Sequence, residues 1–332
     1  MGPNTCLPIF LCVVSSLFAP SKLPAQSSGE QEFVIGCWSA PRGLDVPFFA
    51  WLKENGFTHA LYWRSQQIAR EQWAADLREA ERHNIKLVFD SWQPAAAPGE
   101  WVRAVLETAA SSPSFAGIYA PDEPGYRFPL EGSGRRPSES SFAEAFAQVS
   151  GPARDVFCCD AVFASDQNVR RFLPFCSVFG LDIYPFRSEK RGRRSWTEPV
   201  EAATRKALQL AEKRPVWMVL QGHGRKDWYA YATERLKLQI PLETGDRPSQ
   251  AVLIDMGLSA RKAGALGVWW WSFELYDWQI PDHREFIASF RHVNLRVREA
   301  ADKESASGML RTKVLNKEGA EGVMQTRWRL RF

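Results

Sequence analysis

The sequence predicts an α/β protein, a (β/α)8 barrel with a short C-terminal β-like extension. Three observations point there: eight short apolar or aromatic runs recur along the chain, amphipathic helical segments separate them, and polar or aromatic residues end the runs. The 332 residues, 45% of them hydrophobic, suffice for one barrel of roughly 250 residues and its core.

The runs are Phe33–Trp38, His59–Trp63, Ile85–Asp90, Phe115–Ala120, Val156–Val162, Ser177–Ile183, Pro215–Leu220 and Ala265–Trp271. Between the second and third, Ile68–Asn84 follows the helical period through Trp73, Leu77 and Ala80, with Arg and Glu on the opposite face. Asp45 is placed to cap a helix with Pro47 in its first turn, and Pro248 opens another that stops at Gly264. A doubly wound sheet would need a glycine-rich phosphate loop after the first strand, and Cys37-Trp-Ser-Ala-Pro41 is not one.

Residues 1–25 read as a signal peptide, with the apolar stretch Cys6–Ala19 followed by a Ser/Gln-rich segment. The expectation is a secreted or periplasmic protein with no membrane insertion once the leader is removed. The barrel is assigned to 32–302, and 303–332 to a tail with one or two strand-like stretches, too few for a domain. Past the leader, Cys37, Cys158, Cys159 and Cys176 lack zinc-ligand spacing; they are either packing thiols or a disulfide from Cys37 or Cys176 to the 158–159 pair. No metal or other cofactor is expected. The net charge of +4 comes from 42 basic and 38 acidic side chains, which gives no footprint for a nucleic-acid partner. Fourteen Trp are the compositional outlier, and indole faces serve both core packing and stacking on flat ligands such as sugar rings.

In such a barrel the functional groups sit where strands end. Those ends read Trp38, Trp63, Asp90 with Trp92, Asp122 with Glu123, Asp160, Asp182 with Tyr184, Gln221 with His223, and Trp271 with Glu274. The adjacent carboxylates Asp122-Glu123, just past a buried-strand pattern and just before the turn signal Pro124-Gly125, stand out. Strand alternation allows only one or two of Trp269, Trp270 and Trp271 to face the site.

Three motifs, Asp-Glu-Pro after strand four, Gly180-Leu-Asp-Ile-Tyr-Pro185 at strand six and Gly264-Ala-Leu-Gly-Val-Trp-Trp-Trp-Ser272 at strand eight, make residues Phe33–Asn294 resemble the glycoside-hydrolase (β/α)8 barrels. The resemblance implies cleavage of O-glycosidic bonds of a carbohydrate substrate, with Glu123 as acid/base. The large retaining group has a nucleophilic Glu after strand seven, whereas this chain has Gln221, and an amide cannot form the glycosyl ester.

Three readings follow: another carboxylate serves, with Asp182 preferred; the substrate's own acetamido group attacks, with Asp122 orienting it; or the barrel binds carbohydrate without cleaving it. Trp38, Trp63, Trp92 and Trp271 are the stacking candidates, with Asp90, Tyr184, Gln221, His223 and Glu274 as further sugar contacts. Glu123, among aromatic neighbours, is expected to keep its proton through desolvation. Two insertions border the same rim: Tyr126–Ser140, readable as a lid, and the basic run Arg187–Arg194, suited to an acidic glycan.

Overall fold

The computed structural model describes residues 32–66, 68–90, 98–127, 155–224, 226–228, 230, 233 and 247–303. All eight predicted strands are present: β1 Val34–Cys37, β2 His59–Tyr62, β3 Lys86–Asp90, β4 Phe115–Tyr119, β5 Asp155–Ala161, β6 Val178–Ile183, β7 Trp217–Gln221 and β8 Gly267–Trp271. Each pairs in parallel with the next, and β8 pairs with β1, so the sheet closes into a (β/α)8 barrel.

The described helices are α1 Phe48–Glu54, α2 Arg70–Arg82, α3 Pro98–Ala109, the single turn α4 Pro124–Arg127, α5 Asp166–Arg170, α6 Arg194–Ala211, α7 Gln250–Lys262, α8 Pro281–Ala288 and α9, 290–303. In α2, Trp73, Leu77 and Ala80 are buried, as their spacing predicts. The start of α1 corrects the expectation for Asp45. Pro47 is extended at φ −56° and ψ 130°, so the helix begins only after it, and no side chain caps the turn. Among the described residues no helix is long and apolar enough to cross a membrane. The leader, Trp92, all but the first two residues of the 126–140 insertion, and the tail from 304 onward lie outside the described residues.

The barrel interior explains much of the tryptophan content. Trp38, Tyr119, Phe157, Trp217 and Trp269 fill it, with Val34, Leu61, Val88, Val178 and Val219 between them. Phe157 and Trp269 stack at 5.6 Å between centroids, and Phe157 meets Trp217 at 5.3 Å. Rings this large fit in a narrow barrel only where neighbouring strands give way. Gly36 does so on β1, since a Cβ there would overlap the Trp269 indole. Of the β8 tryptophans, Trp269 faces this core, Trp271 stands at the mouth, and Trp270 points outward. Its Nε1 donates to Asn294 Oδ1 on α9 at 2.8 Å, and its ring meets Phe290 at 5.5 Å.

One of the cysteine alternatives is realised. Cys158 on β5 is bonded to Cys176, just ahead of β6, while Cys37 and Cys159 remain as buried thiols. The bridge closes a short loop, with a sequence separation of 18. A loop of that size restricts the unfolded chain by about 3 kcal/mol. Replacing both cysteines by Ala is therefore expected to lower Tm by roughly 5–10 °C in a thermal melt; an unchanged Tm would show that the bridge adds nothing to the barrel.

Candidate active site at the C-terminal mouth

With the interior filled, the open space lies at the carboxyl ends of the strands. A cavity of about 320 Å³ there is lined by Trp38, Asp122, Glu123, Cys159, Asp182, Tyr184, Val219, His223, Trp228 and Trp271. The sequence thus places seven of its candidates on one wall system: the carboxyls Asp122, Glu123 and Asp182, and the rings of Trp38, Tyr184, His223 and Trp271.

The carboxyl groups are held by different means. Asp122 Oδ1 accepts a 2.6 Å hydrogen bond from the Tyr119 hydroxyl. Glu123 sits at φ 47°, in the left-handed region that non-glycine residues rarely adopt, and its N–H donates to the Cys159 carbonyl at 3.0 Å. Its carboxyl lies within hydrogen-bonding reach of that of Asp182, to which the Tyr184 hydroxyl also donates. Burial, then the charge of Glu123, pushes the Asp182 carboxyl well above the usual range. Two carboxyls in contact cannot both ionise at ordinary pH, so the pair holds one proton.

Asp160, at the end of β5, lies beneath this pair. Its Oδ2 accepts from Gly125 N at 2.6 Å, and its Oδ1 accepts from Tyr126 N at 3.1 Å and Ala161 N at 2.9 Å. Burial raises its carboxyl to about 7 against these three donors, and the charge of Glu123 adds to the rise.

The aromatic wall is continuous. Tyr184 stacks on Trp271 at 4.9 Å, and the His223 ring stands edge-on to Trp271 at 4.7 Å. Trp228 closes on Trp271 at 5.1 Å. His223 Nδ1 lies 3.1 Å from the Trp271 carbonyl, which can only accept, so Nδ1 carries the hydrogen. Burial lowers His223 to about 4. The neutral ring therefore leaves Nε2 as an acceptor for a ligand hydroxyl. Trp228 is held through its neighbour Asp227, which pairs with Arg247 at 2.9 Å and accepts from the Tyr276 hydroxyl at 3.1 Å.

Four sequence candidates stand off this cavity. Gln221 is wholly buried and its amide is spent on backbone: Nε2 donates to Phe186 O at 3.2 Å and His223 O at 2.9 Å, and Oε1 accepts from Phe186 N at 2.9 Å. It clamps the β6–α6 loop to the β7 end. Asp90 is likewise wholly buried, below Tyr119. The Glu274 carboxyl is buried near Cys37 and Ser272, where desolvation pushes it up. Trp63 donates from Nε1 to Trp38 O at 2.5 Å and lines a separate apolar cleft with Leu44, Val46 and Phe48. Within the basic run, Arg193 is engaged with Asp255 in a two-point ion pair.

Cys159, Val219 and Trp228 line the cavity without having been singled out. Strand parity could have found the first two, since Phe157 and Cys159 share the inner face of β5 and Trp217 and Val219 that of β7. Trp228 lies on a short helical stretch, 226–228, that follows β7. Among the described residues, no cluster of three or more His, Cys, Asp or Glu side chains is arranged to hold a metal ion.

No family model matches the sequence, and no curated protein matches it. Solved structures match its fold. The β-galactosidase from Rahnella sp. R3 aligns over 82% of this chain and 57% of that chain, with TM-score 0.56 and 10% identity. GH5_18 from Streptomyces cattleya, in complex with GlcNAc, aligns over 81% of this chain and 80% of that chain, with TM-score 0.53 and 15% identity. A fungal β-1,4-galactanase aligns over 78% of this chain and 99% of that one, with TM-score 0.50 and 10% identity. At such identities the likeness is one of fold: the chain is a (β/α)8 barrel, as these proteins are.

Two outcomes follow from the site. Gln221→Glu would set a carboxylate against two backbone carbonyls, at a cost of about 3 kcal/mol. Denaturant unfolding should show that loss with no gain in turnover; a stable and more active variant would make position 221 a vacated nucleophile site. For Asp160, the folded value lies above the unfolded one, so its contribution to stability is full below about pH 4 and is lost as pH rises through about 7. Melts of Asp160→Asn and the parent across that window should show the parent's Tm falling more steeply; identical slopes would mean Asp160 ionises at its ordinary value.

Proposed function

We propose that this barrel hydrolyses O-glycosidic bonds, with the Glu123–Asp182 pair as its acid and base. The observation that carries the reading is the contact of these two carboxyls inside an aromatic-walled cavity at the mouth of the barrel. Glycoside cleavage needs a carboxylic acid that still holds a proton near neutral pH and a second group that stabilises an oxocarbenium-like transition state.

In this mechanism the pair's single proton is delivered by Glu123 to the leaving oxygen as the C1–O bond breaks and its electrons pass to that oxygen. The carboxylate left behind faces the sugar cation, and a water that adds to C1 returns its proton to the pair. Retention would call for carboxyls about 5–5.5 Å apart in the substrate complex and inversion for about 6.5–9.5 Å. Asp122, beside Glu123 and held by Tyr119, is placed to orient a 2-acetamido group when the substrate carries one. Trp271, backed by Tyr184, offers the stacking face, and His223 Nε2 a hydroxyl contact. Secretion or export to the periplasm through the 1–25 leader belongs to the same proposal.

A second reading, a barrel that binds sugar without cleaving it, is favoured by Gln221, whose amide is wholly engaged in holding backbone. Sugar release from a panel of glycosides and N-acetylhexosaminides separates the two. Turnover by the parent that falls at least about 10³-fold in Glu123→Gln, and about 10²-fold or more in Asp182→Asn, supports hydrolysis. Turnover confined to acetamido sugars and lost in Asp122→Ala supports assistance by the substrate. Sugar binding by folded parent protein without release supports the binding barrel.

A further inference from the structure

We propose that Asp160 is a positioning residue for Glu123, acting through the turn Pro124-Gly125-Tyr126, and that Gly125 is glycine because the clamp leaves no room for a side chain. This inference deepens the proposed reaction and rests on that reading for its kinetic consequence.

The argument begins with the backbone. Glu123 holds a φ of 47°, which costs a non-glycine residue free energy unless its surroundings enforce it. Two neighbouring residues of β5 supply that enforcement from opposite sides. The Cys159 carbonyl takes the Glu123 N–H at 3.0 Å, and the Asp160 carboxyl takes the next two N–H groups of the turn, Gly125 at 2.6 Å and Tyr126 at 3.1 Å, the latter shared with the Glu123 carbonyl at 3.1 Å. The third contact, from Ala161 N at 2.9 Å, fixes the Asp160 side chain to its own strand. Strand β5 thereby grips the segment on both sides of Glu123. A Cβ on Gly125 would collide with Asp160 Oδ2 and crowd the Val169 backbone of α5, so the close approach requires glycine.

Asp160 is 1% exposed and does not line the cavity, so it acts on the reaction only through Glu123. The three N–H donors are best satisfied by a carboxylate; a protonated carboxyl would turn one oxygen into a donor facing them. The titratable groups around it are Glu123 after β4, Tyr126 on α4 and Cys159 on its own strand. Ionised Asp160 repels charge on Glu123, which keeps the shared proton within the Glu123–Asp182 pair as pH rises.

The test compares the parent with Asp160→Asn and Gly125→Ala, in which the acceptor and the room for it are removed separately, with Asp160→Glu as the conservative variant. Each is checked for folding by its melt. We expect kcat to fall about 10–100-fold with KM within about threefold, a changed pH profile in Asp160→Asn, and no rescue by Asp160→Glu, whose longer side chain cannot keep three bonds. A second readout does not need turnover: the 13C titration of the Asp182 carboxyl, which should move down in both Asp160→Asn and Gly125→Ala as Glu123 leaves its contact. If the parent releases no sugar but this titration moves as expected, the proposed reaction fails and the positioning stands. If folded variants keep the parent's kcat and Asp182 titration, Asp160 is a structural buried acid and the inference is overturned.

Discussion

Crowding carboxyl groups into one partly enclosed cavity at the barrel mouth is the constraint on which the rest of the site depends. Asp122, Glu123 and Asp182 line the same 320 Å³ of space, and Asp160 lies beneath them. In bulk water each would ionise near pH 4 and repel the others weakly. Inside the mouth the penalty for a lone charge rises, and the system responds by sharing a proton between Glu123 and Asp182 and by aiming hydroxyl and N–H donors at the remaining oxygens. The same penalty that makes this arrangement costly for folding makes it an acid that still holds a proton near neutrality.

The barrel supplies the rigidity such an arrangement requires. Interior rings from Trp38, Phe157, Trp217 and Trp269 pack edge-to-face or stacked below the mouth. Strand ends cannot drift when the layer beneath them is filled this way. Above it, buried polar groups tie loops to strands: Gln221 fixes Phe186, the loop residue two past Tyr184, and Tyr276 with Asp227 and Arg247 fixes the segment bearing Trp228. The position occupied by Gln221 thus serves the site by geometry, through hydrogen bonds that a carboxylate could not make.

Much of the fold was legible because barrel strands, buried on both faces, leave short apolar runs that periodicity detects. All eight runs matched strands to within two residues at either end, and Trp73, Leu77 and Ala80 did mark the inner face of α2. The helix start at Asp45 was misread because Pro47 looks like a first-turn residue, whereas its extended ψ excludes it from the helix. For the site, strand-end position found Asp122, Glu123, Asp182, Tyr184, His223, Trp38 and Trp271 but could not separate them from Asp90, Gln221 and Glu274. All of these are polar or aromatic residues at a strand end, and only side-chain direction and hydrogen-bond partners distinguish a ligand contact from a buried brace.

The central claim is that Glu123 and Asp182 form a pair holding one proton. Its most direct measurement is the 13C titration of the Asp182 carboxyl in the parent and in Glu123→Gln. The account predicts that Asp182 stays protonated well above pH 4 in the parent and that its midpoint falls when the charge of Glu123 is removed. An Asp182 that titrates near 4 in the folded parent, indifferent to Glu123, would contradict the pairing and with it the acid–base assignment.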